Sequence, residues 1–221
     1  MTTTAAPLNI DIVSDVVCPW CYIGKRHVEQ AISQWRAKHP DAAVNVRWHP
    51  FQLNPDLPLE GIDRKRYLEE KFGGPQRAKE IYARVSAAGR NAGLDLNFDG
   101  ILKQPNTLTA HALIAYAQTT NNGAHADAVT ECLFKAYFVD GEFIGDVDVL
   151  VAIALECGLD AEATRAVLSE RTTLDQIAAL DANVRQQGVT GVPYFIFNQK
   201  IALSGAQPPD VLLDAMEQSA A

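Results

Sequence analysis

Strand-like alternation occupies the two ends of this 221-residue chain and is missing from the long stretch between them, so any sheet must be assembled from segments far apart in sequence. Leu8-Asn9-Ile10-Asp11-Ile12-Val13 reads as one strand and Val44-Asn45-Val46-Arg47-Trp48 as a second. Helical spacing runs between them from Pro19 to about His39, with Cys21, Gly24, Val28, Ile32 and Trp35 near one face. Such a β-α-β unit pairs its strands in parallel through a right-handed crossover. After Gly188 the period returns to two. Tyr194-Phe195-Ile196-Phe197 and Ile201-Ala202-Leu203 flank Asn198-Gln199-Lys200, the pattern of an antiparallel hairpin. A last amphipathic helix follows Pro208-Pro209-Asp210 and uses Leu212, Leu213 and Met216.

The middle of the chain reads as one helical block. Pro50, Pro55 and Pro58 break the chain into a loop before it. Tyr67, Leu68 and Phe72 carry a helix that stops at Gly73-Gly74-Pro75, and Ile81, Val85 and Ala88 carry the next. Another starts at Asn106 or Thr107, both competent N-caps, and ends at Asn121-Asn122-Gly123. Further segments run through Val129 to Phe138, Val149 to Glu156 before Gly158, and Leu174 to Gln187 before Gly188. The order β-α-β, helices, β-β-α predicts an α/β protein whose core combines residues 1–60 with 188–221. Residues 61–187 form an all-helical insert, and with no low-complexity linker on either side it packs on the sheet as a lid.

The chemistry begins at Cys18-Pro19-Trp20-Cys21, where the first strand becomes the first helix. If Cys18 caps the helix, Pro19 falls at the first helical position, where its missing N–H costs nothing. The free amides of the first turn and the helix dipole then favour a thiolate at Cys18, below the ordinary thiol pKa of about 8.5. Cys21, one turn inside, is expected to be more buried and less acidic. That predicts a division of labour in which Cys18 exchanges with a substrate disulfide and Cys21 resolves the mixed disulfide. Trp20 limits access and offers apolar contact.

Other classes fit less well. With 48% hydrophobic residues the chain can bury a core without disulfides, and four cysteines are too few for a disulfide scaffold. A net charge of -8 and a pI near 5.1 argue against a nucleic-acid partner or an anionic membrane surface. Residues 1–7 show no basic segment and no apolar run, so a cytoplasmic protein is expected, in which a dithiol is catalytic more often than structural. No second CxxC completes a zinc site, so no metal is expected, and Cys132 and Cys157 sit singly in apolar helical segments as small hydrophobes. His27 reads as a surface or partly buried residue, and His49 and His111 fit a loop anchor and a helix-packing residue at least as well as catalytic groups.

A second signal lies at Gly188-Val189-Thr190-Gly191-Val192-Pro193-Tyr194. Proline opening an interior strand removes a ladder donor, and the X-Pro bond can be cis. Pro193 also leaves the Val192 backbone free to pair with an extended substrate.

These motifs together resemble the thioredoxin superfamily, specifically DsbA-like oxidoreductases of the FrnE-like branch. Supporting segments are His49-Pro50-Phe51-Gln52-Leu53-Asn54-Pro55, Pro105-Asn106-Thr107 with Ala110-His111, Ala136-Tyr137-Phe138, and Val189 to Pro193 through Ser204-Gly205-Ala206-Gln207. The resemblance covers nearly the whole chain and implies a thioredoxin-like fold interrupted by a helical domain. It implies that Cys18 is the nucleophile, Cys21 the resolving cysteine and Pro193 a cis-proline, with Pro19, Trp20 and Val192 beside the substrate. Well-known periplasmic members carry Pro-His where this chain has Pro19-Trp20. Related 2-hydroxychromene-2-carboxylate isomerases and kappa-class glutathione transferases resemble it too; they place a serine where Cys18 stands, and use a segment like that of Asn106 near the site.

The expected function is thiol-disulfide exchange on protein or small-molecule disulfides, with no resident cofactor and with glutathione as a candidate substrate or reductant. The rivals are a glutathione-dependent isomerase or transferase, with Asn106 as a substrate contact, and a redox-independent chaperone-like module using the groove between core and lid.

Overall fold

The computed structural model describes residues 7–220; the leader reading of the first residues falls largely outside them. β1 (Leu8–Ser14) turns Leu8, Ile10 and Ile12 into the core. Residues Asp15–Val17 connect it to α1 (Pro19–Lys38), and the chain returns as β2 (Val44–Pro50), parallel to β1 with Leu8 opposite Val44 and Ser14 opposite Pro50. A two-residue ribbon, β3 (Ile62–Asp63) against β4 (Lys103–Gln104), encloses α2 (Arg64–Phe72) and α3 (Pro75–Asn91). Then come α4 (Leu108–Thr119), α5 (Ala126–Lys135), α6 (Val147–Glu156), α7 (Ala161–Ser169) and α8 (Arg171–Gln186). The hairpin β5 (Tyr194–Phe197) and β6 (Ile201–Ser204) leads to α9 (Pro209–Ala220).

The four long strands form one sheet in the order β2-β1-β5-β6. β5 lies antiparallel to β1, with Ile10 opposite Phe197 and Val13 opposite Tyr194. The edge strand β2 runs on to Pro50, beyond the expected end at Trp48, because an edge tolerates a missing donor. Gln118 of α4 partners that edge: Trp48 N donates to its Oε1 at 2.7 Å and its Nε2 donates to Trp48 O at 3.0 Å. An open edge is thereby blocked against further pairing.

The segment between the sheet halves differs in detail from expectation. α7 was not apparent in the periodicity because its buried face is only Thr164 and Leu168; Asp160 starts it, accepting from Ala163 N at 2.7 Å. α5 ends at Lys135 and a π-type turn (Ala136–Asp140) continues it to Gly141 in the left-handed region. The ribbon β3–β4 adds strand to a region read as purely helical, at a length below what alternation can signal. Cys132 and Cys157, read as isolated, are neighbours: their sulfurs are 3.4 Å apart.

One apolar core runs through the sheet and the helices, joining Leu8, Ile10, Trp35 and Phe195 to Leu113, Leu133, Phe134 and Leu150. A buried polar seam adds to it. Lys25 of α1 is only 2% exposed and is met by Glu29, by Asp127 at 3.2 Å and by Glu131 at 3.1 Å. Lysine is almost never so buried unless paired. Burial alone would lower its pKa, but the three carboxylates outweigh that and raise it. Beside it Tyr22 stacks on Phe134 of α5 at 4.9 Å and donates to Glu131 at 2.8 Å. The helix that begins at the dithiol is thus clamped to α5 by both packing and charge.

Candidate active site

β1 delivers the chain through buried Ser14, Asp15, Val16 and Val17 to Cys18. Cys18 stands at the N-cap of α1 in an extended conformation, φ -93° and ψ 111°, with Pro19 in the first turn, as the sequence predicts, but its sulfur makes no capping hydrogen bond to the first-turn amides and is turned to Val192 instead. Its carbonyl accepts from Cys21 N at 3.0 Å, so the second cysteine sits one turn along. Cys18 is 5% exposed and Cys21 2%, while Trp20 between them is 42% exposed. The indole is therefore the most open residue between the two cysteines.

Burial pushes the Cys21 thiol well above its usual pKa, and the hydrogen bond to Cys18 and the charge there push the same way; the Ser14 hydroxyl and the Asp15 backbone oppose. The Cys18 thiol faces the carbonyl of Val192 at 3.7 Å. The Val192–Pro193 peptide bond is cis, and Pro193 O accepts from Gly205 N at 2.8 Å, which fixes this loop to the residue after β6. Cys18, Cys21, Val192 and Pro193 therefore meet, although the two halves of the site lie at opposite ends of the chain.

Three supporting residues escaped the sequence reading. Gly24 of α1 lies under the proline: a Cβ there would stand 3.0 Å from Pro193 Cγ and 3.1 Å from Phe195 Cζ, so a larger residue would push the loop or the Phe195 ring back by a few tenths of an ångström. The apolar spacing around α1 marked Gly24 as inward-facing but not what it faces. Asp15 is fully buried. Its Oδ2 accepts from Leu53 N at 2.7 Å, its carbonyl accepts from Cys18 N at 3.0 Å, and its Oδ1 lies 3.4 Å from His111 Nε2. It ties the dithiol turn to the loop after β2 and to α4, and a lone aspartate after a strand carries no signal of that role. Arg185 of α8 lies 4.0 Å above the Phe51 ring and bonds Asp181, which accepts from Gln52 N at 2.9 Å.

Asn106 is buried rather than presented at the dithiol. Its Oδ1 accepts from Gln52 Nε2 and from Leu108 N, both at 2.9 Å, and its Nδ2 donates to Leu57 O at 2.6 Å and Pro55 O at 3.3 Å. Every polar position of the amide is used within the chain, so its place here is to hold the 52–57 loop and to start α4. His49 bonds Asp11 at 2.7 Å and His27 faces Gln207 O at 2.9 Å, both away from the sulfurs. A cleft of about 1090 Å³ is bordered by residues of β2, α1 and α4, among them Trp48, Val28, His111, Ile114 and Gln118. Among the described residues no group of three or more His, Cys, Asp or Glu is placed to hold a metal, and no helix is long and apolar enough to cross a membrane.

A β-α-β half and a β-β-α half closing one four-stranded sheet, with helices inserted between them, define the thioredoxin fold in its interrupted form. The chain belongs to the DSBA-like thioredoxin domain family, whose model matches residues 9–217. It is 30% identical over 210 residues to the uncharacterized protein YwbO of Bacillus subtilis, covering 95% of this chain and 96% of that one. The crystal structure of a probable DsbA oxidoreductase from Streptomyces coelicolor is similar at a TM-score of 0.84 and 28% identity, over 96% of this chain and 89% of that one. The cytosolic disulfide reductase DsbM from Pseudomonas aeruginosa, in its structure with GSH, shares the fold at a TM-score of 0.65 and 20% identity, over 95% and 98% of the two chains.

Proposed function

We propose that this protein is a thiol-disulfide oxidoreductase in which Cys18 attacks and Cys21 resolves. The observation that carries the reading is the placement of the pair: Cys18 stands at the helix start with its thiol 3.7 Å from the Val192 carbonyl, and Cys21, 2% exposed, lies one turn inside, where burial holds its thiol pKa up. The Cys18 thiolate displaces one thiolate from a substrate disulfide and becomes bonded to the other half. Cys21, losing its proton to the departing thiolate, attacks Cys18 Sγ, releases the second half as a thiolate and leaves a Cys18–Cys21 disulfide. Two electrons pass from the dithiol to the substrate; the reverse sequence oxidises a dithiol.

Pro19, Trp20 and the Val192–Pro193 segment frame the substrate in this proposal. The Val192 carbonyl beside Cys18 suits an extended segment, and the open indole suits an apolar neighbour of the sulfur. Protein and small-molecule disulfides both fit this chemistry, glutathione disulfide among them, and the presence of GSH in the DsbM structure supports testing it first. A cytoplasmic setting belongs to the same proposal.

In a chain that also carries Cys132→Ser and Cys157→Ser, so that only the dithiol can react, Cys18→Ala should abolish exchange with oxidised glutathione and with a disulfide-bonded protein. Cys21→Ser should accumulate mixed disulfides at Cys18, read by intact mass. Exchange that persists in Cys18→Ala would overturn the assignment. Glutathione binding that survives replacement of both cysteines would favour the isomerase or transferase reading, and suppression of aggregation that survives it would favour a binding module.

A further inference from the structure

Cys132 lies in the second half of α5, and Cys157 is the residue that closes α6. Both are partly exposed, and the Cys157 thiol donates to Cys132 Sγ at 3.4 Å across a separation of 25 residues. A disulfide has its sulfurs about 2.05 Å apart, so closing this gap needs a movement of roughly 1.4 Å, within the reach of side-chain rotation. The backbone around the pair is held. His125, which precedes α5, meets the Cys157 carbonyl through Nδ1 at 2.8 Å, so the start of one helix is fixed to the end of the other.

We propose that Cys132 and Cys157 are a second redox pair, outside the dithiol site, that closes to an intramolecular disulfide by exchange with a small-molecule disulfide of the glutathione type. Cys132 is the attacking sulfur. It accepts the hydrogen bond of the Cys157 thiol at 3.4 Å. Cys157 is pushed up to about 12, by burial first, then by its bond to Cys132, the charge there and Glu156, and so retains its proton longer. The Cys132 thiolate attacks RS–SR, forming Cys132–S–S–R and releasing one RS⁻. Cys157 then attacks Cys132 Sγ, the sulfur–sulfur bond to the SR group breaks, and a second RS⁻ leaves. The two thiol protons go to the two released thiolates, and two electrons pass from the pair to the small disulfide.

The location gives the bond a consequence. Cys132 follows Glu131 and is two residues before Phe134, the side chains that clamp α1 through Lys25, Arg26 and Tyr22. Oxidation would join the clamp helix covalently to the end of α6, holding the surface on which the dithiol helix rests.

The test uses the full chain with Cys18→Ser and Cys21→Ser, so that only this pair can react and a failure of the proposed function does not affect the result. Incubation with oxidised glutathione, followed by intact mass and a non-reducing peptide map, should show both thiols lost together, no retained glutathione, and a linked Cys132–Cys157 peptide. The melting temperature should rise by roughly 5–12 °C, as expected for a loop of this length in a protein of this size. Adding Cys157→Ser should instead leave a stable glutathione adduct on Cys132, formed about tenfold faster than the adduct on Cys157 when Cys132→Ser is added. Thiols that stay free, a stable adduct on both sulfurs, or bonds only between separate chains would overturn the proposal. If the added variants fail to fold, the peptide map of the unmodified pair still decides.

Discussion

Glu131→Ala should loosen the joint between the dithiol helix and α5. Glu131 accepts from Tyr22 Oη at 2.8 Å and from both terminal nitrogens of Arg26, the Nη1 bond at 2.9 Å, and it lies 3.1 Å from Lys25 Nζ. Its removal leaves Lys25 with Glu29 and Asp127, leaves Arg26 with Glu29, and strips the partly buried Tyr22 hydroxyl of its acceptor. Breaking a fully buried pair by removing one partner costs about 3–5 kcal/mol. Here Glu131 is itself 28% exposed and each cation keeps another acid, so a cost of about 2–3 kcal/mol follows, or roughly 4–12 °C in melting temperature.

The pH dependence sharpens the test. Burial alone would raise the Glu131 pKa, but the bonds from Arg26, the charge of Lys25 and the Tyr22 hydroxyl outweigh it and hold the carboxyl low. A carboxylate lowered on folding stabilises the protein above its unfolded pKa, about 4.3 for glutamate, and the contribution is lost as pH falls through the lower folded value. Urea unfolding of the reduced proteins should therefore show the full difference between wild type and Glu131→Ala at pH 7, and a shrinking one below about pH 4. A difference under about 0.5 kcal/mol at pH 7 would refute the reasoning, because that is the level of an ordinary surface substitution. So would a difference that stays constant through the acid range.

Gly24→Ala gains about 1 kcal/mol of helix propensity but forces a methyl against Pro193 and Phe195, an overpacking cost of about 1–3 kcal/mol. A net loss near 1 kcal/mol and slower disulfide exchange at Cys18 are expected, checked by urea unfolding and exchange kinetics; a stabilised variant with unchanged kinetics would contradict the close approach. Asn106→Ala removes a helix-starting bond and leaves buried loop carbonyls without donors, a loss of about 2–3 kcal/mol with exchange by the folded fraction unchanged. Loss of exchange without loss of stability would instead make Asn106 a substrate contact.

Much of this molecule is readable along the chain. Tyr194 to Phe197 marks a strand as a short continuous apolar run whose buried face, Phe195 and Phe197, is set by packing, whereas the alternation of Leu8 to Val13 marks a strand and also states which face is apolar. The same holds for α1, whose Val28, Ile32 and Trp35 recur at helical spacing and are all buried. Cys18, Cys21 and Pro193 could be singled out because their residue types in local context carry the chemistry. α7 was missed because Thr164 and Leu168 give too thin a stripe, and the β3–β4 ribbon because two residues per strand contain no period.

Which faces meet is settled by packing alone. Periodicity says that a side chain points inward; it does not name its partner, since that depends on how elements separated by long stretches of chain pack. Gly24 needs Pro193 above it to be more than a helix glycine, and Asn106 needs the 52–57 loop around it to become a scaffold. Lys25 is tolerable in the core only because α5 brings Glu131 and Asp127 to it. Cys132 and Cys157 changed most, since each alone is a small apolar residue on a helix, and the packing of α5 on α6 makes them a pair 3.4 Å apart.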